Sequence, residues 1–287
     1  MLKNTQIPSS YSLIQKGKVS LLLKDEYKNL LLKQGIDDLK TFLKKSSQSS
    51  RFLKGRTPHP SIPIGNGQSM VLRQYSHGGL LRPITGNLYL LGMRSFQELA
   101  LTEEIRSCGI PTIEPIGAIH QVTGFPPFYR AYLLTLEAPG ALTAIQYLEK
   151  VGKNPNREML SRKRKMIGHS GLLLRQFHQT GFFHQDLQLK NILVVKDRIL
   201  LIDFDRSYRK PTLSIRERMR NLLRLNRSVE KWKRLGLPIT RTDRWRFFLA
   251  YAGDDKKIRK AMERAFQTYS LRFLFYRFGW AVEKLVR

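Results

Sequence analysis

Three side chains in one stretch of this sequence have the types and spacing that phosphoryl transfer requires. Asp186 and Asn191 lie in FFHQDLQLKN and Asp203 follows in LLIDFD, so the stretch reads HxDxxxxN and then DFD. A loop carboxylate can take the proton of an attacking hydroxyl. An amide oxygen and a second carboxylate are hard ligands for the Mg²⁺ that neutralises phosphate charge. Asp186 is therefore the candidate catalytic residue, Asn191 and Asp203 the candidate metal ligands, and ATP and Mg²⁺ the cofactors this chemistry implies. Singly, each reads as readily as a turn aspartate, a capping asparagine or a strand-end charge. It is the apolar hairpin between the two halves that argues for a site, since a motif counts when its expected context is present. His184 reads as support for the loop backbone.

Several elements must position these groups. Ile192 to Val195 and Arg198 to Ile202 are the two strands that deliver Asp203, and MIGHSGLLLRQFHQTG is a helix whose Leu173, Leu174 and Phe177 face a core. His169 and His178 on that helix lack acidic company and read as structural. Upstream, FLKGRTPHPSIPI, GNG and QSMVLRQY read as short strands with a tight Gly65-Asn66-Gly67 turn. Gly55, Arg56 and Thr57 are candidates to close over phosphates, although no GxGxxG is present and an ordinary hairpin accounts for them equally. Arg73 ends a strand, and SFQELALTEEIRSCGIP is a helix that Ser95 can cap and Gly109 ends, with Glu98 in its first turn. If that helix packs behind the sheet, Arg73 and Glu98 are candidates for an ion pair that positions phosphates. After the hairpin PIGAIHQV and FYRAYLLTL, the backbone from Glu137 to Gly140 leaves the sheet, where it can offer groups to an adenine edge and link two lobes.

Composition limits the alternatives. The chain has 287 residues, 41% of them hydrophobic, enough for one large domain or two lobes with a sizeable core. A single cysteine, Cys108, excludes an intrachain disulfide framework and a cysteine metal cluster. The first residues lack the apolar core of a secretory signal, and no run reaches the roughly 20 apolar residues of a span, so a soluble or peripheral cytoplasmic protein is expected. A formal charge of +29 draws the chain to polyanions: nucleic acid, an anionic bilayer or a phosphorylated glycolipid. Charge is the only argument for nucleic acid, because no groove-reading module is recognisable, and no nucleic-acid partner is expected.

The expected organisation is an accessory segment over residues 1–50, an N-lobe over 51–137 and a C-lobe over 138–287. LLLKDEYKNLLLKQG and IDDLKTFLKK in the first segment read as helices, with a link near Ser46 to Ser50. In the last third, Met219, Leu222, Leu225, Val229 and Trp232 fall on one face of a helix rich in arginine and lysine. That is either a packed helix with a solvated basic face or a surface for anionic lipid headgroups, and YSLRFLFYRFGWAVEKLVR repeats the mixture.

The chain resembles the lipopolysaccharide kinase family known as Kdo/WaaP, over roughly Phe52 to Tyr251. The resemblance is carried by VLRQYSHGGLLRPITGNLYLLG, RSFQELALTEEIRSCGIPTIEPIGA, FHQTGFFHQDLQLKNILV with LIDFDRS, and NLLRLNRSVEKWKR with DRWRFFLAYAG. It implies an α+β, two-lobed protein-kinase-like fold, with a small N-terminal antiparallel sheet lobe bearing one helix and a larger, mainly helical C-terminal lobe. The implied activity is ATP-dependent phosphorylation of a sugar hydroxyl of the lipopolysaccharide inner core, Kdo being the expected acceptor. The partners it implies are a lipopolysaccharide core or lipid A precursor and the anionic cytoplasmic face of the inner membrane. A heptose, another small molecule or a protein is the alternative acceptor, and a nucleotide-binding pseudokinase without turnover the alternative function. By position, Asp186 would orient and deprotonate the hydroxyl, Asn191 and Asp203 would bind Mg²⁺, Arg73 and Glu98 would be the strand cation and its helix partner, and Gly55, Arg56 and Thr57 the phosphate loop. Two positions depart from the general kinase pattern: Arg73 replaces a lysine, and Asp205 replaces the glycine of the metal motif.

Overall fold

The structure, a computed structural model, describes residues 7–49, 51–53, 59–76, 87–90, 92–124 and 127–267. Met1–Pro139 with Phe204–Arg206 form one compact unit, and Gly140–Asp203 with Ser207–Arg287 a second.

An antiparallel sheet built from β1 (Tyr11–Lys16), β2 (Val19–Lys24), β3 (Arg51–Leu53), β4 (His59–Gly65), β5 (Gln68–Gln74), β7 (Pro115–Val122) and β8 (Phe128–Leu136) dominates the first unit. Its order is β1-β2-β7-β8-β5-β4-β3, with the short β6 (Tyr89–Leu90) paired to β8. Successive side chains of a strand point to opposite faces, so VSLLLK in β2 sends Leu21 and Leu23 one way and Leu22 the other. Leu21 and Leu23 join Ile64, Met70 and Leu134 in one core with Tyr27, Leu31 and Phe42, which come from helices α1 (Asp25–Lys33) and α2 (Leu39–Ser49). Leu22 joins Ala118, Ala131 and Leu133 in a second core with Phe96 and Leu99 of α3 (Arg94–Ser107). The sheet is thus covered on both faces.

The first fifty residues therefore supply part of this unit, β2 pairing along β7 from Val19↔Gln121 to Leu23↔Gly117. The link expected near Ser46 is instead the continuation of α2 to Ser49. The Gly65-Asn66-Gly67 turn is present, with positive φ at all three residues, which suits glycine and asparagine. Ser95 does not cap α3: the helix starts one residue earlier, and the Ser95 hydroxyl donates to the Ile119 carbonyl at 3.1 Å, tying α3 to β7.

In the second unit α4 (Ala144–Val151), α5 (Arg157–Gln179), α6 (Ile215–Arg234) and α7 (Arg241–Ala252) carry two small sheets, and residues 256–267 are also helical. One sheet is β12-β11-β9, from Arg198–Leu201, Ile192–Val195 and Leu142–Thr143, and the other pairs β10 (Phe182–Phe183) with β13 (Tyr208–Arg209). Capping boxes at Thr143/Gln146, Ser214/Glu217 and Thr240/Asp243 start α4, α6 and α7. Gly171 lets α5 and α7 touch, since a Cβ there would fall 2.7 Å from the Phe247 carbonyl oxygen. Of the apolar face of α6, Met219, Leu222 and Leu225 are buried, and Val229 and Trp232 are half-buried. The three buried residues fit the packed-helix alternative. Among the described residues, no helix is long and apolar enough to cross a membrane.

Candidate functional site

The loop after β10 is organised by His184, which is fully buried. Burial lowers its pKa and keeps the ring neutral. One nitrogen, Nδ1, accepts the Asp186 N–H at 3.1 Å, and the other, Nε2, lies 3.0 Å from the Ile202 carbonyl. A neutral imidazole has one donor and one acceptor, so this arrangement fixes the proton on Nε2. The Ile202 N–H donates to the Asn191 carbonyl at 3.1 Å, and Asn191 Nδ2 donates to the Asp186 carbonyl at 2.8 Å. These four bonds close a circuit through Asp186, Asn191 and the residue preceding Asp203. The structure thus links the backbones that carry the three predicted groups, and Asp203 takes a left-handed φ of 67° where the chain leaves β12.

Asp186 carries a dense set of cations. Its Oδ1 accepts from Gln188 Nε2 at 2.5 Å and from Arg224 Nη2 at 2.7 Å, and its Oδ2 lies 3.2 Å from Lys190 Nζ. Burial pushes the carboxyl up, but the bonds from Gln188 and Arg224 and the charge of Lys190 outweigh it and hold the pKa at about 2, below the ordinary 3.8.

Arg224 was not visible as a site residue in the sequence. It lies on α6 with Asn221 and Ser228, at positions i, i+3 and i+7 of one helical stripe. Asn221 donates from Nδ2 to the His184 carbonyl at 2.6 Å and accepts the His184 N–H at 3.3 Å, while the Ser228 hydroxyl accepts the Leu189 N–H at 3.2 Å. Behind Asn221, His178 Nε2 lies 3.0 Å from Asn221 Oδ1 and His178 Nδ1 lies 2.7 Å from the Tyr251 hydroxyl. The polar stripe N-x-x-R-x-x-x-S inside an apolar and basic helix was the available signal.

The fit to a divalent cation can be judged from the donors. Asn191 Nδ2 is spent on the Asp186 carbonyl, and Asn191 Oδ1 accepts no hydrogen bond among the described residues. An amide oxygen with a half-buried carboxylate, Asp203, is a hard-oxygen pair that suits Mg²⁺. Asp205 is not part of that pair, because both its oxygens are held by Arg94.

In the first unit, Arg73 of β5 and Glu98 of α3 form an ion pair, and Glu98 is 2% exposed. The Tyr75 hydroxyl donates to the same carboxylate oxygen, and the Arg73 guanidinium lies 4.8 Å from the Tyr75 ring centroid. Burial, then the Glu98 charge, push the Tyr75 hydroxyl well above its ordinary pKa, so it remains a donor. Glu137 follows β8, but its N–H is spent on the Ser69 carbonyl at 2.8 Å and its carboxylate accepts from the Ser61 hydroxyl. Of the backbone groups from Glu137 to Gly140 that the sequence offers to an adenine edge, the Glu137 N–H is therefore already engaged. Gly55, Arg56 and Thr57 lie outside the described residues, as does the aromatic and basic segment 269–287.

A family model for the lipopolysaccharide kinase (Kdo/WaaP) family matches residues 42–251. The 3-deoxy-D-manno-octulosonic acid kinase of Vibrio cholerae is 33% identical over 165 residues, covering 56% of this chain and 65% of that protein. The enzyme of the same name from Mannheimia succiniciproducens is 33% identical over 175 residues, 58% of this chain and 67% of that protein. That from Xylella fastidiosa is 31% identical over 192 residues, 62% and 72% respectively. The chain spans just under two thirds of the Vibrio cholerae relative. A solved structure of WaaP in complex with acyl carrier protein superposes with a TM-score of 0.55 at 17% identity, covering 87% of this chain and 99% of that one. That likeness establishes the protein-kinase-like α+β fold.

Proposed function

The chain belongs to the lipopolysaccharide kinase (Kdo/WaaP) family, and from that membership we propose that it phosphorylates a sugar hydroxyl of the lipopolysaccharide inner core, with Kdo as acceptor and ATP as donor. The observation that carries the reading is the hydrogen-bonded circuit joining Asp186, Asn191 and the Asp203 segment through a buried neutral His184.

Asp186 orients the acceptor hydroxyl and receives its proton as the oxygen attacks the γ-phosphorus and the bond to ADP breaks. With a pKa of about 2 it is a weak base, which suits a loose transition state that asks for positioning more than early proton removal. Asn191 and Asp203 would hold Mg²⁺, which supplies charge neutralisation on the phosphates. Arg73, oriented by Glu98, would grip phosphate oxygens with a fork that lysine lacks. A lipid A precursor at the cytoplasmic face of the inner membrane is the acceptor this reading requires, and the net charge of +29 favours that anionic surface.

The test is phosphate transfer from labelled ATP to Kdo-bearing and heptose-bearing lipid acceptors. Asp186→Asn should lower kcat at least about 100-fold and leave ATP binding intact. No transfer by the wild-type chain to any core acceptor would overturn the activity, and transfer to heptose alone would overturn the choice of sugar.

A further inference from the structure

Asp205 stands where kinases carry a glycine, and the structure gives its side chain a specific partner. Arg94, the first residue of α3, grips it with both ends of its fork: Nε lies 2.5 Å from Oδ1, and Nη2 donates to Oδ2. The two side chains are only 19% and 22% exposed. The guanidinium also lies 4.8 Å from the ring centroid of Tyr89 and 5.7 Å from that of Tyr75. A paired, stacked arginine fork has one orientation, unlike a lysine ammonium.

Two consequences follow from where this pair sits. Phe204–Arg206 belong to the first unit although the residues on either side belong to the second. Asp205, with both oxygens held by Arg94, lies two residues beyond Asp203, whose left-handed φ of 67° has to be held in place by its surroundings. The second consequence concerns α3. Glu98 follows Arg94 by one helical turn and orients Arg73, and Tyr75 both donates to Glu98 and lies beside Arg94. The N-terminal part of α3 thus binds the strand cation through Glu98 and the metal-motif segment through Arg94.

We propose that the Arg94–Asp205 pair fixes the Asp203 segment, so that both are positioning residues and Asp205 acts as a strap in place of the flexible glycine. This rests on reading Asp203 as a metal ligand, but not on which sugar is phosphorylated. The strap predicts that Mg²⁺ dependence, more than nucleotide affinity or global stability, responds to the pair.

The experiment compares wild type with Asp205→Asn, Arg94→Lys and Arg94→Gln. It measures the Mg²⁺ concentration for half-maximal ATP binding and transfer, the KM for ATP at saturating Mg²⁺, the melting temperature, and amide hydrogen exchange over residues 203–207. Asp205→Asn and Arg94→Gln should raise the Mg²⁺ requirement about tenfold, as loss of a group supporting a ligand does. Exchange in 203–207 should quicken, with KM for ATP and melting temperature near wild type and Arg94→Lys intermediate. Unchanged Mg²⁺ dependence and exchange would overturn the proposal. So would tighter Mg²⁺ binding in Arg94→Gln, which would mean that the freed Asp205 is itself a ligand. If the wild type transfers no phosphate, the kinase reading fails, while Mg²⁺-dependent ATP binding and exchange still decide on the strap.

Discussion

Arg224 and Asp186, 38 residues apart in sequence, meet through a forked contact in which Nε and Nη2 of the arginine lie 3.1 and 2.7 Å from a single carboxylate oxygen. The contact has two opposed effects. It orients Asp186 and it removes basicity from it. Where the transition state asks little of a base, orientation wins. Arg224→Gln should therefore lower kcat about tenfold while moving the Asp186 pKa up from about 2, so that any acid limb of the pH–rate profile shifts to higher pH. A rise in kcat would show that basicity was limiting. The folded pKa lies below the unfolded one, so the stability this contact adds is present above about pH 4 and lost as pH falls towards 2. With Arg224 39% exposed, solvent screening leaves that contribution at roughly 1 kcal/mol.

His178 places a second pH dependence at milder acidity. It is fully buried between Tyr251 and Asn221, and burial holds its pKa at about 4 against an ordinary 6.5. The unfolded chain takes up that proton first, so stability is complete above pH 6.5 and falls as pH drops towards 4. The loss approaches about 3 kcal/mol. Melting temperature measured across this range should fall, and His178→Gln should flatten the slope. A wild-type melting temperature that is constant from pH 6.5 to 4 would contradict a buried neutral imidazole.

Much of this was legible in the sequence because it is local. HxDxxxxN and DFD are short-range patterns, the alternation in VSLLLK fixes which leucines share a face, and GNG between apolar runs has one common use. Arg73 and Glu98 are also foreseeable as a pair, since a strand end and the start of a helix can be located without knowing the fold, although the helix starts at Arg94 and so carries Glu98 past its first turn. What stayed hidden depends on long-range placement. Arg224, Asn221 and Ser228 are ordinary polar residues on a helix until α6 is laid against the loop, and nothing in the sequence pairs the Asp205 carboxylate with Arg94, 111 residues away. The apolar face of α6 is equally compatible in sequence with lipid and with a core, and only the structure shows Met219, Leu222 and Leu225 buried. The engagement of the Glu137 N–H is also hidden, because a backbone leaving a sheet in sequence can still donate to it, as this one does to Ser69.

The Arg73–Glu98 pair can be separated from its parts by a double-mutant cycle. Arg73→Met and Glu98→Gln each break the same contact, so each should raise the KM for ATP about tenfold and the double variant little further. Steady-state kinetics on the three variants read the coupling. Additive effects would mean that Glu98 acts independently of Arg73. Arg73→Lys should keep part of the activity, because the charge on Glu98 remains paired while the contact with the Tyr75 ring is lost.

Lys163 and Asp243 join α5 to the start of α7 through a pair 2.6 Å apart with both side chains 4% exposed. Lys163 also donates to the Pro238 carbonyl at 2.5 Å, and Asp243 accepts from the Thr240 N–H at 3.0 Å within its capping box. Removing one partner leaves the other charge in a poorly solvated place, which costs more than the pair itself contributes. Lys163→Met should therefore destabilise the fold by about 3–5 kcal/mol. Adding Asp243→Asn should recover part of that, because an asparagine oxygen can still accept the Thr240 N–H without burying a charge. Denaturant midpoints of the single and double variants measure the difference. A double variant no more stable than Lys163→Met would mean that the lysine acts through its packing and its bond to Pro238, and not through the charge on Asp243.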